Sequence, residues 1–328
     1  MAPAAPDPEA SVLAVFGPTG SGKSDLAVHL AETLGGEVVN ADSIQVYRDL
    51  RILSARPDDA ACRRVPHHLY GHVDGAVRCS AAAWARTAAA TLAGIRAAGR
   101  LPILVGGTGL YLATLFDGIA EVPDIPDALL AALGRRYDEI GGGAFHAALA
   151  ALDPSAAARL PAGDRQRQVR AMAVAEATGR PLSWWQARPG RGGLAWRAAG
   201  ILLAPGREAL YRRCDARLER MLATGALAEV EALLARRLPP DLPVMKAVGV
   251  PHLAALLRGE VDPETALAAA QRDTRRYAKR QFTWLRHRGI ARSVPDILHL
   301  PSAPWAPDWA GQEAGLRRFL SARFGRAP

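Results

Sequence analysis

Apolar positions early in the chain follow two alternating periods. Val12-Leu13-Ala14-Val15-Phe16 is an unbroken apolar run after Ser11 and predicts a buried strand. Residues 17–22 are loop-like. From Lys23 the spacing changes to Leu26, Leu30 and Leu34, the i, i+4, i+8 pattern of a helix, and Gly35-Gly36 stops it. Glu37-Val38-Val39-Asn40 predicts a second short strand. Ser80 is a good N-cap for an Ala-rich helix that runs to about Ala98 and ends at Gly99. Leu101-Pro102-Ile103-Leu104-Val105 predicts a third strand. Strand and helix in alternation predict an α/β fold, a parallel sheet with helices on its faces.

The pattern changes at about Pro123. To Arg197 it predicts helices only, broken at Gly141-Gly142-Gly143, Pro154, Pro161 and the glycine-rich stretch 190–193. Ala198 begins a strand that returns to the sheet, and the chain is then helical almost to Arg288. Leu210, Cys214, Leu218 and Leu222 form one apolar stripe, which Gly225 interrupts. The expected organisation is a core of residues 11–122 and 198–328 with an all-helical insertion at 123–197. Residues 1–10 hold Pro3, Pro6 and Pro8 with two acids and no apolar core, so they predict a disordered lead-in and not a signal peptide.

Composition narrows the class. The 328 residues are 49% hydrophobic and 22% charged, which excludes a disordered or collagen-like chain. No apolar run approaches the ~18 residues of a membrane span. Three scattered cysteines (Cys62, Cys79, Cys214) give neither a disulfide framework nor a metal knuckle, so the cytoplasm is expected. His67 and His68 are neighbours whose side chains point apart, which predicts structural roles. The net charge is +9, and it is segregated. Residues 1–122 carry 10 Lys+Arg and 12 Asp+Glu, whereas residues 123–328 carry 31 and 20. That excess predicts a polyanion partner for the second part. Only Lys23, Lys246 and Lys279 are lysine in a chain with 38 arginines.

The chemistry begins at Gly17-Pro18-Thr19-Gly20-Ser21-Gly22-Lys23-Ser24, which fits G-x-x-x-x-G-K-[ST] between a strand and a helix. Backbone N–H groups there curl around phosphate oxygens, Lys23 adds a full charge, and the Ser24 hydroxyl can hold Mg²⁺. The spacing indicates a di- or triphosphate and does not specify ATP. The strand at 101–105 runs into Gly106-Gly107-Thr108-Gly109 without the acid that a conventional P-loop NTPase places on magnesium. The acid is Asp42, in Asp42-Ser43-Ile44-Gln45 after the second strand. It reads as a helix cap or as a general base facing the phosphate loop.

Taken with His67-His68-Leu69, Leu104 to Tyr111, Lys246-Ala247-Val248-Gly249 and Tyr277 to Arg286, these blocks resemble the bacterial tRNA dimethylallyltransferase family, collinearly from about residue 11 to 290. Where that family has Gly-Tyr followed by a basic residue and Glu or Gln, this chain has Gly249-Val250-Pro251-His252. The resemblance implies transfer of a dimethylallyl group from dimethylallyl diphosphate to N6 of the adenosine 3′ of the anticodon (position 37), in tRNAs that read codons beginning with U. It implies Mg²⁺ on Ser24 with diphosphate and water, and a monomer with no membrane partner. It assigns Asp42 as general base and Arg217 to the diphosphate. Thr108 reads as a hydrogen-bond partner of the adenine, as a residue that orients Asp42, or as a helix cap. Arg213 and Arg220, at i−4 and i+3 from Arg217, read as a solvated stripe. The tRNA anticodon stem-loop is assigned to Asp42, Ser43, Ile44, Gln45, Lys246 and Gly249, to Asp164, Arg165, Gln166 and Arg167 in the insertion, and to Lys279, Arg280, Gln281, Trp284 and Arg286 in a basic helix. Rival readings are a P-loop kinase of a small metabolite and a prenyltransferase acting on free adenine nucleotides.

Overall fold

The computed structural model describes residues 11–188, 190, 193–287, 294–301 and 310–325. The expected lead-in at 1–10, Arg288 at the end of the long helical run, and residues 191 and 192 of the glycine-rich break lie outside them. The chain divides into two compact units, residues 1–116 with 194–328, and residues 117–193. The division falls a few residues before the expected borders. Leu194 N–H donates to Leu115 O, and Leu194 and Trp196 pack on the core of the first unit, which draws that stretch out of the insertion.

The first unit is built on six parallel strands: β1 (Val12–Phe16), β2 (Gly36–Asn40), β3 (His67–His68), β4 (Leu101–Gly106), β5 (Ala198–Leu203) and β6 (Asp296–Leu300). Their order is β3-β2-β4-β1-β5-β6. Alternation along β1 sorts two cores. Val12, Ala14 and Phe16 face one, with Trp84, Leu92, Leu218 and Leu253 from the covering helices. Leu13 and Val15 face the other, with Leu26, Leu30 and Leu320. The helix Lys23–Leu34 ends in Gly35 at φ 65°, and Ser80 Oγ caps Ala81–Ala97 by accepting from Ala83 N–H.

Two strands are additions to the sequence expectation. The edge strand β3 has two residues, and β6 is half polar, so neither carries a clear apolar run. His67 Nδ1–H donates to Val65 O, and His68 pairs with Glu37, so both serve structure.

The named elements of the second unit are helices, joined by turns and coil. Asp127–Leu152 kinks at Gly141 (φ 79°), and Arg165–Thr178 packs on it. Its core holds Phe145, Leu149, Met172 and Val174.

Parallel strands put all their C-terminal ends on one edge, where open α/β sheets bind ligands. Because β2, β4 and β1 are neighbours, that edge brings together the loop after Phe16, the Asp42 loop and the Gly106-Gly107-Thr108 turn.

Candidate active site

The loop after β1 presents an open helix end. Gly22 occupies the N-cap of Lys23–Leu34 at φ 91° with no side-chain cap, which leaves N–H groups of the first turn to a ligand. Gly20 (φ 80°) lies against Cys214, so a side chain there would meet both backbone strain and the thiol. A cavity of about 310 Å³ opens on this loop, and Lys23, Ser24, Asp42 and Arg217 line it. Burial pushes the Lys23 ammonium down to about 8, Asp42 opposes that, and Arg217 adds to it. Burial also lowers the Arg217 guanidinium. Two crowded cations with few counter-charges form a site prepared for an anion. Arg217 Nη2 donates to Thr19 Oγ1, which fixes the guanidinium beside the loop.

Arg213 and Arg220 line the cavity with Arg217; Arg213 is half-buried there, and Arg220 is exposed as a solvated position would be. The i, i+4, i+7 spacing was visible in the sequence, but the direction of that face depends on the packing of the helix Arg207–Ala223.

Asp42 is placed by a buried side chain that motif reading passed over. Asn40 is fully buried, accepts from Asp42 N–H at 2.9 Å, and donates Nδ2 to Asp42 O at 3.0 Å. One carboxylate oxygen, Oδ1, accepts from Ile44 N–H (2.9 Å) and Gln45 N–H (3.3 Å). Among the described residues no hydrogen bond reaches Oδ2, so a fixed carboxylate offers one lone oxygen to the cavity. Thr108 Oγ1 accepts from Ser43 N–H at 3.0 Å, tying the β4 turn to the Asp42 loop. Gly106 permits this approach, because a Cβ would sit 2.1 Å from Ala41 O. Burial, with the Asp42 charge nearby, pushes the Tyr277 phenol up, so it remains protonated.

Family models for an IPP transferase and an isopentenyl transferase match residues 45–288 and 10–68. The tRNA dimethylallyltransferase of Phenylobacterium zucineum is 51% identical over 321 residues, covering 98% of this chain and 100% of the relative. That of Sphingopyxis alaskensis is 56% identical over 277 residues, covering 83% and 89%. The chain belongs to the tRNA dimethylallyltransferase family. Its fold is shared with the Bacillus halodurans tRNA isopentenylpyrophosphate transferase (28% identity, TM-score 0.65, 96% and 98% covered). A eukaryotic dimethylallyltransferase acting on tRNA matches at 27% identity and TM-score 0.77, with 97% and 82% covered.

In this family member the residues assigned to tRNA from sequence fall into three groups. Lys246, Gln166, Lys279, Arg280 and Arg286 are exposed, and Lys279 and Arg280 share an outer face of the helix Pro263–His287 with Arg272 and Arg276. Arg165 is paired with Asp138 (2.7 and 2.6 Å), and Arg167 with the N-cap residue Asp164 (2.9 Å). Such ion pairs at the surface add little to stability. The third group is turned inward. Gln45 donates to Ser54 O and Ala55 O, Ile44 packs on the core, Gly249 is buried at φ 97°, and Trp284 lies against Gly109. Gln281 corrects its assignment most clearly. It is 6% exposed, accepts from Thr19 N–H at 2.8 Å, and donates to Gly107 O at 3.1 Å, so its amide serves the protein's own loops.

The Lys23 environment gives a pH prediction. The free site holds Lys23 half-neutral near pH 8, and a bound diphosphate restores the ammonium. Affinity is therefore full below that pH and falls as pH rises through it. Above it, binding takes up a proton. Calorimetry at pH 8.5 in two buffers of different protonation enthalpy is expected to show this uptake, and Lys23→Met is expected to abolish it.

Proposed function

We propose that this chain transfers a dimethylallyl group from dimethylallyl diphosphate to N6 of an adenosine in tRNA, 3′ of the anticodon at position 37, and releases diphosphate. The observation that carries the reading is one cavity holding an oriented carboxylate, Asp42, opposite a diphosphate-type loop with Lys23 and Arg217. Family membership supports the same donor and acceptor. An exocyclic amine is a weak nucleophile, because its lone pair is delocalised into the ring. As N6 attacks C1 of the donor, the C1–O bond breaks and its electron pair leaves with the diphosphate. Asp42 Oδ2 takes the N6 proton as the C–N bond forms. Lys23, Arg217 and the loop N–H groups hold the charge that develops on the leaving group.

The Ser24 hydroxyl and the Asp25 carboxylate open on the same cavity, so hard oxygen donors suited to Mg²⁺ are present. Ser24 would hold the ion with diphosphate and water. When bound there, Mg²⁺ supplies further neutralisation of the leaving diphosphate.

The exposed cations of the basic helix are assigned to RNA phosphates. Replacing Lys279 and Arg280 together by Ala is expected to weaken tRNA binding and leave dimethylallyl diphosphate binding nearly unchanged. Each lost phosphate contact on a single-stranded loop lowers the log–log salt slope by ~0.7, so the pair lowers it by ~1.4. Filter binding at several salt concentrations measures this.

The proposed activity separates from its rivals in one assay: protein, Mg²⁺, labelled dimethylallyl diphosphate, AMP and unmodified tRNA, without ATP and again with it. Label in tRNA is expected. A requirement for ATP would favour the kinase, and label in free AMP would favour a nucleotide prenyltransferase.

A further inference from the structure

Gln281 joins two loops that have different duties. Its Oε1 accepts from Thr19 N–H, at the tip of the diphosphate loop and 262 residues away in sequence. Its Nε2 donates to Gly107 O, in the turn after β4. The bond to Gly107 O is buried and the bond from Thr19 N–H is partly buried, and the helix Pro263–His287 carries the side chain. The packing admits no slack, since a Cβ on Gly107 would lie 2.5 Å from Gln281 Nε2 and 2.8 Å from Gly17 O. Thr19 is thus fixed twice, through its main chain by Gln281 and through its hydroxyl by Arg217. On the other side, Gly107 precedes Thr108, whose hydroxyl accepts from Ser43 N–H next to Asp42.

We infer that Gln281 is a positioning residue for group transfer: it sets the gap between the loop that holds the donor's diphosphate and the turn that supports the Asp42 base. This inference rests on the proposed prenyl transfer. In-line displacement needs the reacting atoms about 3–3.5 Å apart, and a misplacement of about 1 Å costs about 10²-fold. The diphosphate loop fixes C1 of the donor, and the Asp42–Thr108 side fixes the acceptor nitrogen and its base. Gln281 is the side chain that contacts both supports. The Thr19 N–H that it occupies is withheld from phosphate, so its work lies in fixing distance and not in binding the anion.

The test is single-turnover transfer at saturating substrates in the full-length protein. Gln281→Glu keeps the volume and the acceptor for Thr19 N–H but removes the donor to Gly107 O. Gln281→Met removes both bonds. Each variant is expected to keep the amplitude of the single-turnover phase and lose about 10²-fold in its rate constant, with tRNA affinity nearly unchanged. A purely structural role predicts the reverse, a smaller amplitude from a smaller folded fraction at the wild-type rate constant, and that result would overturn the inference. So would a rate constant within a few-fold of wild type in both variants. If wild-type protein places no label in tRNA, the functional reading fails and the inference fails with it. An active wild type with unaffected Gln281 variants ends the inference alone.

Discussion

Asp42→Asn is expected to slow dimethylallyl transfer by about 10²–10⁴-fold, the usual worth of a general base. The amide has the shape of the carboxylate, and its carbonyl oxygen can still accept from Ile44 and Gln45 N–H in the place of Oδ1. The loop therefore keeps its conformation, and the Asn40 bonds to the Asp42 main chain are untouched. What disappears is the second oxygen as a proton acceptor. Binding of both substrates is expected to stay close to wild type, because neither the loop N–H groups nor the arginines change. A single-turnover rate within a few-fold of wild type would remove Asp42 from the role of base.

Arg217→Ala is expected to lower the rate at saturation by about 10²–10³-fold, the typical cost of losing one preorganised donor at a site of developing charge. Its guanidinium lines the cavity and is held by Thr19 Oγ1, so it needs no reorganisation as the diphosphate departs. Dimethylallyl diphosphate affinity also falls, because the ground state already carries charge at that position. Arg217→Lys keeps a charge but not a planar fork that bonds Thr19 and an anion together, so only partial recovery is expected. Measuring kcat and the donor Kd separately checks this. A loss confined to Kd would place Arg217 in binding alone.

How much of this was legible in the sequence follows from the range of each interaction. The diphosphate loop is a local spacing of glycines, lysine and serine between a strand and a helix, and Gly20, Gly22, Lys23 and Ser24 of that spacing line the cavity. Asp42 was visible as an acid at a strand end, which parallel topology carries to the same edge. Gln281 was misassigned because helical periodicity groups Tyr277, Gln281 and Trp284 but cannot say what that face meets. Its partners are main-chain groups 262 and 174 residues distant. Arg165 was assigned to tRNA with its ion-pair partner out of view for the same reason, since Asp138 lies on a different helix. The edge strands β3 and β6 escaped because one is two residues long and the other carries Asp296 and His299 among its five positions.

We propose that one cavity brings an adenosine N6 to Asp42 and a dimethylallyl diphosphate to Lys23 and Arg217. The most direct measurement is nucleoside analysis of tRNA incubated with the protein, Mg²⁺ and dimethylallyl diphosphate, using digestion and mass spectrometry. One five-carbon group on N6 of a single adenosine, 3′ of the anticodon, is expected, with one diphosphate released per modified residue. Diphosphate release with no modified adenosine, or a prenyl group on another atom or nucleoside, would contradict it.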